Sequence, residues 1–313
     1  MTDMLETYRA RLRSSIITDG LGTPGAGLAG PEQFDAMLVL AKKQISFLNR
    51  MRLEPVGAKT GSLRRIAFGD DNLEAAAEAS DTGNSFSPTH SGVPFSLTKA
   101  RFMAKLSNDV NKFSVPGHNY EDVFNQEASE AFMRAVLRLC WLGDTASADP
   151  SLRINDGWRK QIIAGGNPVN ASSATITHAM GYSAIKALDE NHLENLADYS
   201  WQMSMLRWTQ IREYTSGRST GEGDKAITEG PNGEAKWLGL PVDIVGFTGT
   251  SGGDIVLSKP KELIAAVDST DFRLKRVTGG HLDLQDAFAL LGFLWVDPVI
   301  ADVAGTSVIY NLG

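Results

Sequence analysis

Three glycines, Gly25, Gly27 and Gly30, stand in the order G-x-G-x-x-G. In a dinucleotide-binding loop this spacing lets backbone approach a pyrophosphate at a helix N-terminus. Such a loop follows a buried strand, whereas only SSIITD, with Arg11 and Arg13 before it, precedes these glycines. That stretch is too short and polar for a central parallel strand, although Pro31 suits the first turn of a helix behind it. The one cysteine, Cys140, falls among apolar neighbours and reads as buried filler. A nucleophilic thiol would need a histidine beside it, and a lone cysteine permits no disulfide within the chain, which is consistent with a reducing compartment. His90, His118, His178, His192 and His281 show no metal-ligand spacing and read as surface or turn residues. Asp70 with Asp71, and the Asp189–Asn191 run, could pair carboxylates, but each sits in a polar stretch typical of a solvated face. Arg64 and Arg65 are too few for a nucleic-acid patch. Neither a G-x-S-x-G elbow nor a G-x-x-x-x-G-K-[ST] phosphate loop occurs. No catalytic, cofactor-binding or metal-ligating residue is therefore assigned, and no cofactor is expected.

The element with the strongest signal is NYEDVFNQEASEAFMRAVLRLCWL, Asn119 to Leu142. Asn119 suits an N-cap, Glu121 and Asp122 suit the positive end of the helix dipole, and Arg134 and Arg138 lie toward the other end. Phe124, Ala128, Ala131, Phe132, Ala135, Leu139 and Leu142 recur three or four apart as one apolar stripe, with Glu127, Glu130, Arg134 and Arg138 on a wet face. Gly143 stops the helix, a rod of roughly 36 Å.

Before it, Met1–Gly30 reads as a flexible arm and Pro31–Arg50 as an amphipathic helix carrying Phe34, Met37, Leu38, Ala41, Ile45 and Leu48. Ser62–Phe68 and Pro94–Ser107 read as strands, the second by the alternation of Ala100, Phe102, Ala104 and Leu106 with Lys99, Arg101 and Lys105. Gly69–Val93 between them is polar, with Leu73 and Phe86 its large apolar residues apart from the closing Val93, so two strands are expected to carry a long hairpin away from the body. After the rod come a turn-rich link into a short helix near Ile163 and a helix over Tyr182–Leu196. A strand then passes into a helix within Ser200–Gly217, with Leu206 and Ile211 inward. Trp237–Phe247 and Asp254–Asp268 are strand-rich, and the last residues form two buried strands broken at Asp297 and Pro298. Strand-forming segments thus lie on both sides of the rod, so the two ends of the chain are expected to share one domain while the middle forms another.

Composition bounds the rest. The chain has 313 residues, enough for a full core in one large domain or two ordinary ones. A net charge of −7 opposes tight, sequence-independent binding of nucleic acid. No window approaches a membrane-spanning length of apolar residues, and the first residues do not resemble a secretory signal.

The order of these features resembles the major capsid proteins of tailed bacteriophages, the HK97-like fold. FLNRMRLEPVGAKTGSLRRIAF and the polar hairpin after it resemble that family's N-terminal arm and extended loop; LCWLGDT resembles the end of its spine helix, SWQMS the strand opening its axial domain, and WLGLPVDIVGF, with Gly239, Pro241 and Val242, its Gly-x-Pro-Val strand. IVLSKPKELIAAVDSTDFRL resembles the family's next block after that strand.

The resemblance implies an α+β fold, with an N-terminal arm and helix over 1–50, an extended hairpin loop and its strands over 51–107 and a peripheral domain with the spine helix over 108–151. An axial domain over 152–269 and C-terminal strands over 270–313 returning to the peripheral domain complete it. It also implies a structural protein, not an enzyme, whose copies assemble in the bacterial host cytoplasm into pentamers and hexamers of an icosahedral virion capsid around double-stranded DNA. The expected partners are other copies of the chain, a separate scaffolding protein (the chain opens at Met1 with only a short arm), a portal, a decoration protein and loosely held DNA, with no membrane. Lys59 and Asn311 have the residue types of the isopeptide cross-link found in some members, but no catalytic glutamate matches, and no cross-link is expected. Two alternatives stand beside this reading. One is an encapsulin-type compartment with the same fold around enzyme cargo; the other is a soluble α/β enzyme binding nucleotide through Gly25–Gly30.

Overall fold

The computed structural model describes residues 45–67, 89–107, 120–216, 235–246, 253–277 and 286–313, with Asp35, Leu38, Val39 and Lys42 ahead of them. The Gly25–Gly30 loop, the Asn119 cap, Asp70 and Asp71 lie outside the described residues.

Twelve strands make three sheets among these residues. In chain order they are β1 Arg52–Pro55, β2 Thr60–Ala67, β3 Thr89–Ser96, β4 Thr98–Ser107, β5 Asn167–Asn170 and β6 Ser200–Met203, then β7 Lys236–Trp237, β8 Leu240–Ile244, β9 Ile255–Ser258, β10 Leu263–Val277, β11 Ala287–Ile300 and β12 Ser307–Tyr310. Four principal helices accompany them: α1 Tyr120–Leu142, α2 Trp158–Gly165, α3 His178–Lys186 and, past the short turns at Glu190–Leu193 and Leu196–Asp198, α4 Met205–Ser216.

The first layer is the four-stranded sheet β1-β10-β11-β4 with α1 across one face. Phe132, Val136 and Leu139 of α1 pack with Ala265 and Val267 of β10 and with Leu290, Leu294 and Val296 of β11, each large side chain so buried contributing about 1.5–3 kcal/mol. The helix is buried on more of its girth than a single stripe. Ala131 and Ala135, expected inward, are exposed, whereas Met133, Leu137, Cys140, Trp141 and Glu130 are buried. The cause is a second neighbour: Phe47 and Leu48, in a 3-10 turn at Ser46–Asn49, join the same core, and Phe47 lies 5.5 Å from the Trp141 ring. That turn also interrupts the helix expected through Arg50. Trp158 of α2 meets Trp141 edge-on and donates its indole N–H to Ile264 O and Val299 O, both at 3.1 Å. Just past α1, position 143 requires glycine because a side chain there would collide with Asn155 O at 2.3 Å, and a side chain at Gly157 would meet Gly143 N at 2.7 Å.

The second layer is the six-stranded sheet β5-β12-β9-β6-β8-β7. Its core holds Trp201, Trp237, Ile211, Ile255, Leu257 and Ile309. Leu238 and Gly239 link β7 to β8 with φ of 53° and 84°, the double positive φ of a tight hairpin, which explains the glycine of the Gly-x-Pro-Val segment. Leu206, expected inward, is 55% exposed, and Arg207 is buried in its place. The guanidinium is satisfied there by Gly253 O, Gln210 Oε1, Gly313 O and Leu312 O.

Three strand expectations change. β11 runs unbroken through Asp297 and Pro298, and the chain leaves the strand only after Ile300. Proline is tolerated because the β4 ladder ends at Val296↔Thr98, so Pro298 has a partner on one side alone. The division at 269/270 does not follow the sheets: β10 belongs to the first layer from Leu263, and β12 pairs with β5 and β9 in the second. The hairpin also differs. Its second strand is β3, while the alternating run Lys99–Leu106 belongs to β4, which pairs with β11 in the body.

Candidate assembly interface

The residues with chemical potential are dispersed into the packing. Cys140 is wholly buried, and desolvation, with the charge of Asp297, pushes its thiol up to about 12. His178, expected at the surface, opens α3 inside the core. Its Nδ1 accepts from Trp237 Nε1 at 3.0 Å and its Nε2 lies 3.2 Å from the Thr215 hydroxyl. Because that hydroxyl donates to Ile211 O, it accepts from Nε2–H, which sets the tautomer. His192 is half-buried, its Nε2 3.8 Å from Asp302 Oδ2; His90 lies in β3, and His118 and His281 fall outside the described residues. Asp189 is exposed at the start of a short helix, and Arg64 is exposed on β2. Lys59 Nζ sits 4.2 Å over the Trp295 ring, and Asn311 Nδ2 donates to Asn170 Oδ1 at 3.3 Å. Among the described residues no group of three or more His, Cys, Asp or Glu is placed to hold a metal ion, and no helix is long and apolar enough to cross a membrane.

One polar cluster escaped the sequence reading. Lys160 Nζ donates to Asp144 Oδ1 at 2.7 Å and to Asp156 Oδ1 at 2.8 Å, and Thr145 donates to Asp156 from both N and Oγ1. The Lys160 bond holds the Asp144 carboxyl below the usual range; at Asp156 it and Thr145 outweigh partial desolvation with the same result. The cluster braces the turn after α1. Its members lie far apart in sequence, and the short Gly-Asp-Thr and Asn-Asp-Gly segments were its only trace.

What the body does not absorb is the ribbon of β2 and β3. Its eight antiparallel pairs run from Thr60↔Ser96 to Ala67↔Thr89, and among the described residues neither strand joins a third. At about 3.3 Å per residue the ribbon extends roughly 26 Å. Only its base is anchored. Phe95 and Leu97 bury themselves against Ala266 and Val299, with Leu63, Val93 and Trp295 packed around them. Ser96 N donates to Asp297 Oδ2 at 2.8 Å, and Asn155 Nδ2 donates to Asp297 Oδ1 at 2.9 Å. Burial pushes the Asp297 carboxyl above the usual carboxylate range despite both bonds. β3 and β4 are one extended run interrupted only at Leu97, so the ribbon is continuous with the body sheet. Thr60, Gly61 and Ser62 opposite that base, and Arg64 and Gly92 beyond it, are exposed. A two-stranded ribbon of this kind is marginal alone and gains stability from a surface to lie on.

No protein-family model and no curated protein matches the sequence. Solved structures do. A chain of the satellite phage P4 procapsid including size determination (Sid) protein superposes with a TM-score of 0.65 at 13% identity, covering 90% of this chain and 91% of that one. A Gordonia phage Cozz chain gives 0.59 at 13% identity over 86% of each chain. A chain from the capsid of an empty GTA particle gives 0.51 at 14% identity, over 88% of this chain and 90% of that one. At such identities the likeness is one of fold: this chain has the α+β, HK97-like fold of phage capsid shell proteins.

Proposed function

We propose that the chain is a structural shell protein, a major capsid protein and not an enzyme, whose copies close into pentamers and hexamers of an icosahedral phage head around double-stranded DNA. The observation that carries this reading is the ribbon β2–β3, held by its base and, among the described residues, paired with no third strand, in a chain whose fold matches a procapsid chain over nine-tenths of its length. Such a ribbon lies across a neighbouring copy and gains there the contacts its own chain does not supply. Head-to-tail interfaces of identical copies close into rings when the rotation permits, each of standard size or larger. The net charge of −7 keeps the wall from gripping a packed polyanion, so contact with DNA is loose. A separate scaffolding protein, a portal and a decoration protein are the further partners of this reading, and the virion capsid is its location.

Electron microscopy of the purified full-length protein tests it. Closed shells with five- and six-fold capsomers are expected; a monomer or dimer at assembly concentrations overturns the proposal. Shells that carry enzyme cargo and never DNA would move it to an encapsulin-type compartment.

A further inference from the structure

A buried row of hydrogen bonds in the second sheet is closed by a cation from the first layer. Ser258 Oγ donates to Gln202 Oε1 at 3.0 Å, Gln202 Nε2 donates to Ser200 Oγ at 2.8 Å, and Ser200 Oγ donates to Asp243 Oδ2 at 2.7 Å. Ser258 on β9 and Ser200 and Gln202 on β6 are wholly buried, and Asp243 stands on β8 in register with Gln202. Every donor in this row faces the same way, toward the Asp243 carboxylate. Each bond therefore polarises the next, and the charge at the end fixes the direction of all three. The other oxygen of that carboxylate accepts from Arg50 Nη1.

Arg50 follows the 3-10 turn at Ser46–Asn49, whose Phe47 and Leu48 are seated in the first core. The turn stands at the seam of the two layers with a cleft on either side. One, of about 290 Å³, lies between Ser46, Arg134 and Ile244; the other, of about 550 Å³, lies between Asn49, Ala197 and Lys261. A segment packed across a whole face resists displacement everywhere, but this one is held by its apolar pins and by Arg50. What Arg50 reaches is the weakest side of the second sheet, because β8 is followed there only by the two-residue edge strand β7. We propose that Arg50 is a positioning residue that ties the place of the Ser46–Asn49 turn to the order of β7 and β8. A shift of the turn, imposed from the chain ahead of residue 45, withdraws the guanidinium. It leaves the Asp243 side chain, 13% exposed, without this counter-charge, and the sheet loosens at that edge. The coupling is internal to one chain and holds whether or not copies assemble.

Amide hydrogen exchange on the full-length chain, in one assembly state fixed by sedimentation, tests the coupling. Arg50→Gln is expected to speed exchange over residues 236–244 about two- to fivefold, the effect of losing one partly exposed ion pair, and to leave β12 unchanged. Arg50→Lys keeps the charge and is expected to keep most of the protection. Phe47→Leu loosens the seat of the turn while staying apolar. It is expected to speed the same amides when Arg50 is present and to add nothing in the Arg50→Gln chain. Equal acceleration in both backgrounds would mean that the turn reaches β8 through Val245, which also lies in the first core, and overturns the proposal. So does a Phe47→Leu chain with no acceleration while Arg50 is in place, or an Arg50→Gln chain that exchanges over 236–244 as wild type does. Acceleration of β12 to the same degree also overturns it, because that is a general loss of stability. If circular dichroism shows Phe47→Leu unfolded, Leu48→Val takes its place and is read in the same way.

Discussion

The six-stranded sheet and the ribbon β2–β3 are built from the same backbone ladder, yet one completes itself and the other does not. In the sheet, β6 and β9 are buried along their whole length. Even their polar side chains close on one another: Gln202 Nε2 donates to Ser200 Oγ at 2.8 Å, and Ser258 Oγ donates to Gln202 Oε1 at 3.0 Å. In the ribbon the ladder is as regular, but among its described side chains only Phe95, at the base, is buried. Hydrogen bonds between two strands therefore set a shape here, while burial decides which region stands alone.

Removing Asp70–Gly92 separates the two most sharply. The variant is expected to stay soluble with an unchanged melting temperature and to form no shells; shells seen by microscopy would erase the distinction. Next, Trp158→Ala strikes the self-sufficient body, in the core of the helix-backed sheet, opening a cavity and removing the indole N–H shared by Ile264 O and Val299 O, and should cost about 3–5 kcal/mol in urea unfolding. A loss below about 1 kcal/mol would show that this core is looser than its packing implies.

Asp297 sits at the junction. Burial raises its folded-state pKa above the unfolded value, so the folded chain holds the proton more tightly, and stability falls as pH climbs through the raised value. Asp297→Asn should flatten part of that decline in melting temperature against pH, leaving the share that comes from buried Asp254; an unaltered slope contradicts the assignment. The smallest effect is at Cys140, where a thiol pushed up to about 12 and wholly buried should resist alkylation at pH 8 until urea unfolds the chain. Rapid native labelling would show that α1 opens locally.

How much of this was readable depends on where the causes lie. The rod α1 and its stop at Gly143 were legible because helical spacing and a glycine are local signals. The period of two at Lys99–Leu106 was legible for the same reason. Which strand pairs with which was not: Pro94–Ser107 read as one strand and Thr89–Val93 as part of the polar stretch before it, and only the ladder with β2 shows where β3 begins. The inward face of α1 was half-read, since the second neighbour at Phe47 and Leu48 lies some ninety residues away in sequence. Arg207 broke the expected pattern because its partners, Gly253 O, Leu312 O and Gly313 O, come from distant turns. The candidate interface was legible as a gap, a polar stretch between two strands.

The path from β3 into β4, broken only at Leu97, has a mechanical consequence. Tension applied at the far end of the ribbon reaches the body along the strand axis, where ten rungs tie β4 to β11. Loaded in that direction the rungs resist in shear, all at once, instead of parting one by one as a zipper does. A pull from outside is thus delivered to the ladder of β4 with β11, and the sheet serves as the ribbon's mooring.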